Sequence, residues 1–174
     1  MKKILAILSM CSSLLLAEGL TLKSPSIGGQ LGLKQEFNGF GCKGENISPK
    51  LIWENAPKGT KSFAITVYDP DAPTGSGWWH WLAFDINKNT RSIEEGFGNK
   101  ETTKAIQSMT NYGTTGFGGA CPPKGDKAHK YEFTIYALDV ETLGLKKETN
   151  PAIVGYYINN HTIEKSTITS YYKR

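Results

Sequence analysis

Residues 62–73 read Ser-Phe-Ala-Ile-Thr-Val-Tyr-Asp-Pro-Asp-Ala-Pro, and this run constrains the fold more than any other. Phe63, Ile65 and Val67 recur with the two-residue period of a strand that buries one face. Pro70 and Pro73 lack an N–H and end the ladder. The strand therefore carries Asp69, in line with its apolar stripe, to the point where the sheet stops and a loop begins. The arrangement recurs twice. A turn, Thr74-Gly75-Ser76-Gly77, leads into a strand at 78–85, where Trp78, His80, Leu82 and Phe84 are expected to share a face. A Gly/Pro loop from Gly116 feeds a strand at 129–139, where His129, Tyr131, Phe133 and Ile135 share one. Polar groups at strand ends, in line with buried stripes, predict a small polar pocket formed by loops on a β scaffold.

The rest of the chain is read around these three strands. Short strands are expected at 20–24, 35–37 and 51–53, within a loop-rich stretch. Residues 86–128 are polar and irregular, with one short helix expected near 102–107. Asn150 and Pro151 mark a helix start, as N-cap and first helical residue. That helix is expected to run to about Lys165, with Ile153, Tyr156, Tyr157 and Ile163 as its apolar face. A strand at 166–172 closes the chain. Strands dominate and helices are few and late, which predicts a mainly β protein, an antiparallel β-sandwich with a few peripheral helices. His161 falls on the late helix and is read as a structural contact.

Lys2 and Lys3 precede an apolar run, residues 4–16, that ends at Ala17. This is the pattern of a secretory signal peptide cleaved after Ala17, which leaves residues 18–174 as one domain. The run is shorter than the ~20 residues that a membrane span needs, and no later segment reaches that length. The expected location is the periplasm or the exterior. Of 20 basic and 16 acidic residues, the leader removes Lys2 and Lys3, leaving 18 against 16. The only arginines are Arg91 and Arg174 and the lysines are scattered, so the clustered basic face of a nucleic-acid-binding protein is missing. Cys42 and Cys121 survive processing. An oxidising compartment makes a disulfide between them one reading and two independent buried thiols the other. Neither cysteine has a neighbour at metal-finger spacing, so no metal is expected, and no cofactor.

Two long segments, DPDAPTGSGWWHW at 69–81 and GFGGACPPKGDKAHKY at 116–131, resemble the phosphatidylethanolamine-binding proteins, most closely their bacterial, Raf-kinase-inhibitor-like branch. CKGENISP at 42–49, PKGTKS at 57–62 and YALD at 136–139 extend the resemblance over nearly all of the mature chain. It implies an antiparallel β-sandwich with a small anion-binding pocket. By residue, it implies a ligand set of Asp69, His80, His129 and Tyr131, with Asp71, Pro73, Trp78 and Gly118 at the rim or behind. The chain departs from the commoner pattern at Trp79, Phe117, Ala120 and Lys130, outside that central set.

These residue types suit an anion. Histidine and tyrosine donate hydrogen bonds, and a carboxylate such as Asp69 or Asp71 behind a histidine favours the imidazolium. Gly116, Gly118 and Gly119 permit a nest of backbone N–H groups. If a histidine must be protonated, affinity falls as pH rises. The function expected is binding of phosphate, a phosphorylated headgroup or a carboxylate, without catalysis: no Gly-x-Ser-x-Gly nucleophile motif and no metal-binding cluster is present. The alternative, which the resemblance implies, is a protein-interaction module that inhibits a protease or kinase or modulates a host protein. A protein partner and a homodimer both remain open.

Overall fold

A computed structural model describes residues 19–174, and the signal peptide expected at residues 1–17 lies outside them. Among the described residues, eight strands form two antiparallel sheets. The strands are β1 (Thr21–Lys23), β2 (Leu51–Glu54), β3 (Ser62–Asp69), β4 (Trp78–Asn87), β5 (Ser92–Ile93), β6 (Ile106–Gln107), β7 (His129–Leu138) and β8 (Thr162–Tyr172). The small sheet has the order β1-β2-β5 and the large one β6-β4-β3-β7-β8. One helix, α1 (Pro151–Asn160), and a 3-10 turn at Phe97–Asn99 complete the described elements. The mainly β sandwich expected from the sequence is the fold observed.

The alternation in β3 and β7 decides which side chains fill the space between the sheets. Phe63, Ile65 and Val67 of β3 and Tyr131, Phe133 and Ile135 of β7 meet Leu22, Leu51 and Trp53 of the small sheet. Trp53 packs edge-on against Phe63 across the two layers, with ring centroids 5.4 Å apart. Full burial of such side chains contributes about 1.5–3 kcal/mol each, so this layer carries the fold. The other face of the large sheet holds a second cluster, Ala64, Leu82, Phe84, Tyr136 and Leu138, covered by Val154 and Ile158 of α1.

β4 departs from strict alternation. Val67 pairs with Trp81 and the next residue, Tyr68, with Trp79, so His80 is an extra residue in a β-bulge. A second irregularity lies between Phe63, which pairs with Ile86, and Ile65, which pairs with Ala83; Asp85 there has φ 57°. The expectation that His80 shares a face with Leu82 and Phe84 is therefore overturned. Leu82 and Phe84 lie in the cluster under α1, while His80 packs against Tyr131 of β7.

Other expectations fail for identifiable reasons. Residues 35–37 form turns with one isolated bridge, Glu36 to Ala120, because no neighbouring strand is there to pair with them. Residues 102–107 form no helix; Ile106 and Gln107 pair with Phe84 and Ala83 at the edge of the large sheet. Asn150 caps α1 by accepting the N–H of Ala152 at 2.9 Å, but the helix stops at Asn160. Thr162 then pairs with Leu138, and the ladder to β7 replaces further helical turns. The buried face of α1 is Pro151, Val154, Gly155 and Ile158. Gly155 leaves room for Trp79, since a Cβ there would sit 3.1 Å from the indole. Ile153, Tyr156 and Tyr157 point outward, Tyr156 with 63% of its surface exposed, and Ile163 belongs to β8.

Candidate functional site

The ends of β3, β4 and β7 meet at a cavity of about 150 Å³. Asp69, His80, His129 and Tyr131 all line it, and none is more than 3% exposed. Asp69 is delivered by the last residue of β3, His129 by the first of β7, and His80 by the bulge. The walls are apolar: Phe40, Pro73, Trp78, Tyr112, Pro122 and Pro123. Two wider cavities, of about 690 and 1020 Å³, lie among exposed lysines and glutamates. Neither contains a comparable set of buried polar side chains.

Asp69 is the hub of the site. Its Oδ1 accepts the N–H of Asp71 at 2.8 Å, an Asx turn across Pro70 that fixes the carboxylate as the strand ends. Its Oδ2 accepts from Nδ1 of His129 at 2.8 Å. Nε2 of His129 lies 3.4 Å from Asp126 Oδ2, a longer and weaker contact. Asp71 does not line the cavity. Its carboxylate accepts the N–H of Lys130 at 2.9 Å and meets Lys127 Nζ at 3.1 Å, tying the 70–77 loop to β7. The Lys130 N–H is the main reason that its carboxyl is held below the usual carboxylate range.

His80 is held by backbone. Nδ1 lies 2.8 Å from the carbonyl of Gly118 and 3.2 Å from that of Gly119, and the N–H of Gly118 returns a bond to the carbonyl of His80 at 2.8 Å. Burial pushes the ring's pKa down to about 4. At neutral pH this leaves His80 uncharged. Gly118 thus serves behind the site through its carbonyl. The expected nest of amides is also overturned at Gly118 and Gly119: Gly118 N–H is committed to His80, and Gly119 N–H to Asn46 Oδ1 at 2.7 Å.

Tyr131 presents its hydroxyl without a hydrogen bond of good geometry, as does the indole N–H of Trp78, and both atoms are buried. Burial, and next the charge of Asp69, raise the pKa of Tyr131 well above the usual phenol value, so the hydroxyl keeps its hydrogen. Tyr112, which the sequence reading missed, stacks on Phe37 at 4.2 Å, packs edge-on against both Trp78 and His80, and donates to the carbonyl of Gly119 at 2.7 Å. Its only local signal was the Asn-Tyr-Gly turn, which says nothing about where the ring lands. Phe40 was missed too. It is 70% exposed at the mouth, with φ 54° just before Gly41. The loop of Phe40 is joined to the 116–128 loop by the disulfide Cys42–Cys121, with S–S 2.01 Å and Cα–Cα 6.0 Å.

Two antiparallel sheets, with a small cavity at the strand ends lined by buried polar side chains, define a β-sandwich. Residues 24–173 match the phosphatidylethanolamine-binding protein family, and the chain belongs to it. It is 47% identical over 150 residues to the UPF0098 protein YbcL of Escherichia coli, covering 84% of this chain and 82% of that one. It is 44% identical over 146 residues to YbhB of the same organism, covering 82% and 92%. The crystal structure of E. coli YbcL, described as a new member of the mammalian PEBP family, superposes with a TM-score of 0.87 at 45% identity, covering 90% of this chain and 99% of that one. The CT736 homologue of Chlamydia trachomatis, a putative phosphatidylethanolamine-binding protein, gives 0.75 at 26% identity, covering 90% and 98%.

Proposed function

We propose that this family member binds a small organic anion, a phosphate or carboxylate group with its substituent, in the cavity at the ends of β3, β4 and β7, and that it acts by binding rather than by catalysis. The observation that carries this reading is the convergence of four buried polar side chains, Asp69, His80, His129 and Tyr131, on one cavity, with the buried indole N–H of Trp78 unpartnered in its wall. A buried polar group without a partner costs roughly 1–3 kcal/mol, and a ligand acceptor removes that penalty. The apolar walls favour a ligand with a non-polar part, and the phosphorylated headgroup in the family's name fits the same chemistry.

Against catalysis stands the state of the hydroxyls. Tyr131 and Tyr112 are held protonated by burial, and Thr74 Oγ1 is committed to the carbonyl of Gly77 at 2.6 Å. The proposed location is the periplasm or the exterior. The N-terminal leader pattern and the disulfide support it, since disulfides persist in oxidising compartments. N-terminal sequencing of the exported protein should find Glu18 first; retention in the cytoplasm with an intact leader would refute that location.

Calorimetric titration with phosphate, phosphoethanolamine and acetate tests the binding reading. Saturable binding that the Tyr131→Phe variant weakens supports it. A native protein that binds none of the three would sink it. Turnover of a phosphate or carboxylate ester that disappears in His80→Ala would overturn the non-catalytic part.

A further inference from the structure

Two loops form the mouth of the cavity. Residues 36–44 bring Phe40, and residues 120–125 bring Cys121, Pro122 and Pro123. At their root Phe37 N–H bonds the carbonyl of Ala120, and Ala120 N–H bonds that of Gln35, both at 2.9 Å. Further out the disulfide joins Cys42 to Cys121. A third tie comes from the end of β8. Tyr172, opposite His129 in the ladder, donates its hydroxyl hydrogen to Oε2 of Glu36. Glu36 is only 6% exposed, and its Oε1 accepts the N–H of Lys43 at 2.6 Å, which closes the Phe40 loop on itself. Arg174 donates from Nε to the carbonyl of Pro122 at 2.8 Å, and its main-chain oxygen accepts from Gly125 N–H at 3.4 Å. Its Nη1 lies over Gly41, where a Cβ would be 3.6 Å away. The guanidinium thus spans Gly41 and Pro122, each the neighbour of a cysteine of the disulfide.

Building on the anion-pocket reading, we propose that Glu36, Tyr172 and Arg174 are positioning residues: they form a non-covalent clamp that holds the two mouth loops together beside the disulfide and keeps Phe40, Pro122 and Pro123 against the ligand's substituent. None of the three lines the cavity, so the clamp acts on the apolar walls and leaves the polar base, at the ends of β3, β4 and β7, to the anion. The chemistry suits a joint. A buried carboxylate that accepts from two separate segments fixes both, and a planar guanidinium offers several N–H groups in a rigid fork. Clamp and disulfide bridge the same gap, so each keeps the mouth closed when the other is missing. Ties that share a gap couple rather than add.

Inorganic phosphate and phenyl phosphate separate base from walls, since only the second carries a ring that reaches the walls. Calorimetry should find Arg174→Ala, and separately Cys42→Ser with Cys121→Ser, each within about threefold of the native affinity for phenyl phosphate. The variant with all three changes should bind it at least about thirtyfold more weakly, more than the product of the two separate effects. Inorganic phosphate should stay within about twofold throughout, a result that a general loss of structure would not give. A second readout keeps both cysteines. In glutathione buffers the disulfide of Arg174→Ala should be about threefold easier to reduce than that of the native protein, because coupling between two ties is reciprocal. A combined loss equal to the product of the separate ones, an equal loss for both probes, or an unchanged glutathione equilibrium would overturn the clamp and leave the anion pocket standing. If neither probe binds the native protein, the anion reading fails, and the glutathione equilibrium alone decides the clamp.

Discussion

The protein contains the same chemical pair twice in different surroundings. His129 Nδ1 meets Asp69 Oδ2 at 2.8 Å, and His161 Nδ1 meets Asp139 Oδ1 at 2.9 Å. The side chains of the first pair are 2% and 4% exposed; those of the second are 35% and 58% exposed. The exposed pair sits where α1 ends, is open to water, and contributes little. The buried pair cannot do so. Each of its atoms needs a protein partner, and the removal of one partner leaves the other stranded in a low-dielectric setting. A hydrogen-bond length therefore does not reveal what a pair is worth; its surroundings do. The buried pair also has a brace that the exposed one lacks, since the disulfide fastens the loop that holds His80 beside it.

Five measurements would break or sharpen this contrast. The largest effect should come from removing the brace. Cys42→Ser with Cys121→Ser opens a link across 79 residues, and loop entropy alone predicts a loss of about 4.5 kcal/mol in urea unfolding. A loss below about 1 kcal/mol would mean that the loops hold the site without it. Next, Asp69→Ala strands His129 Nδ1 and the Asp71 N–H, and should cost about 3–4 kcal/mol. If it matched the effect of the corresponding change at Asp139, burial would not be the deciding factor.

Acid should act on the second buried histidine. The folded pKa of His80, about 4, lies below its unfolded value of 6.5, so below pH 6.5 the unfolded chain takes up a proton that the folded chain refuses. Stability from this group is complete above about pH 6.5 and is lost as pH falls toward about 4, by roughly 3 kcal/mol in all. Unfolding curves across that range should show the slope, and His80→Asn should flatten it; an unchanged slope in the variant would assign the loss elsewhere. Tyr131→Phe removes a hydroxyl that makes no protein hydrogen bond of good geometry, so stability should change little while phosphate affinity falls about tenfold, or ~1.4 kcal/mol. A drop in melting temperature without a change in affinity would give the hydroxyl a structural role instead. The smallest effect belongs to the exposed pair. Asp139→Ala should change stability by less than about 0.5 kcal/mol, and a loss above about 2 kcal/mol would erase the contrast.

Much of the fold was legible because local signals agreed with tertiary pairing. The stripes of β3 and β7 and the Asn150-Pro151 start of α1 stand where the sequence places them. Asp69, His80, His129 and Tyr131, singled out in the sequence, line one cavity. Illegible parts depended on distant partners. Tyr112 and Phe40 reach the cavity from loops with no period, and only the packed fold brings them there. The apolar residues at 153, 156 and 157 were misread as the buried helix face, because a small Gly155 facing Trp79 mattered more than their hydrophobicity.

The sequence by itself determined that strands would end in Asp69 and begin with His129, since alternation and proline act within a few residues. It likewise determined a mainly β chain. Tertiary structure alone decided how His80 is used. The bulge that turns it toward Tyr131 arises from the pairing of β4 with β3, and its bound hydrogen is directed by carbonyls 38 and 39 residues away. Side-chain period is a local property of a strand, whereas the phase after a bulge and the tautomer of a buried ring depend on groups that only folding brings within hydrogen-bonding distance.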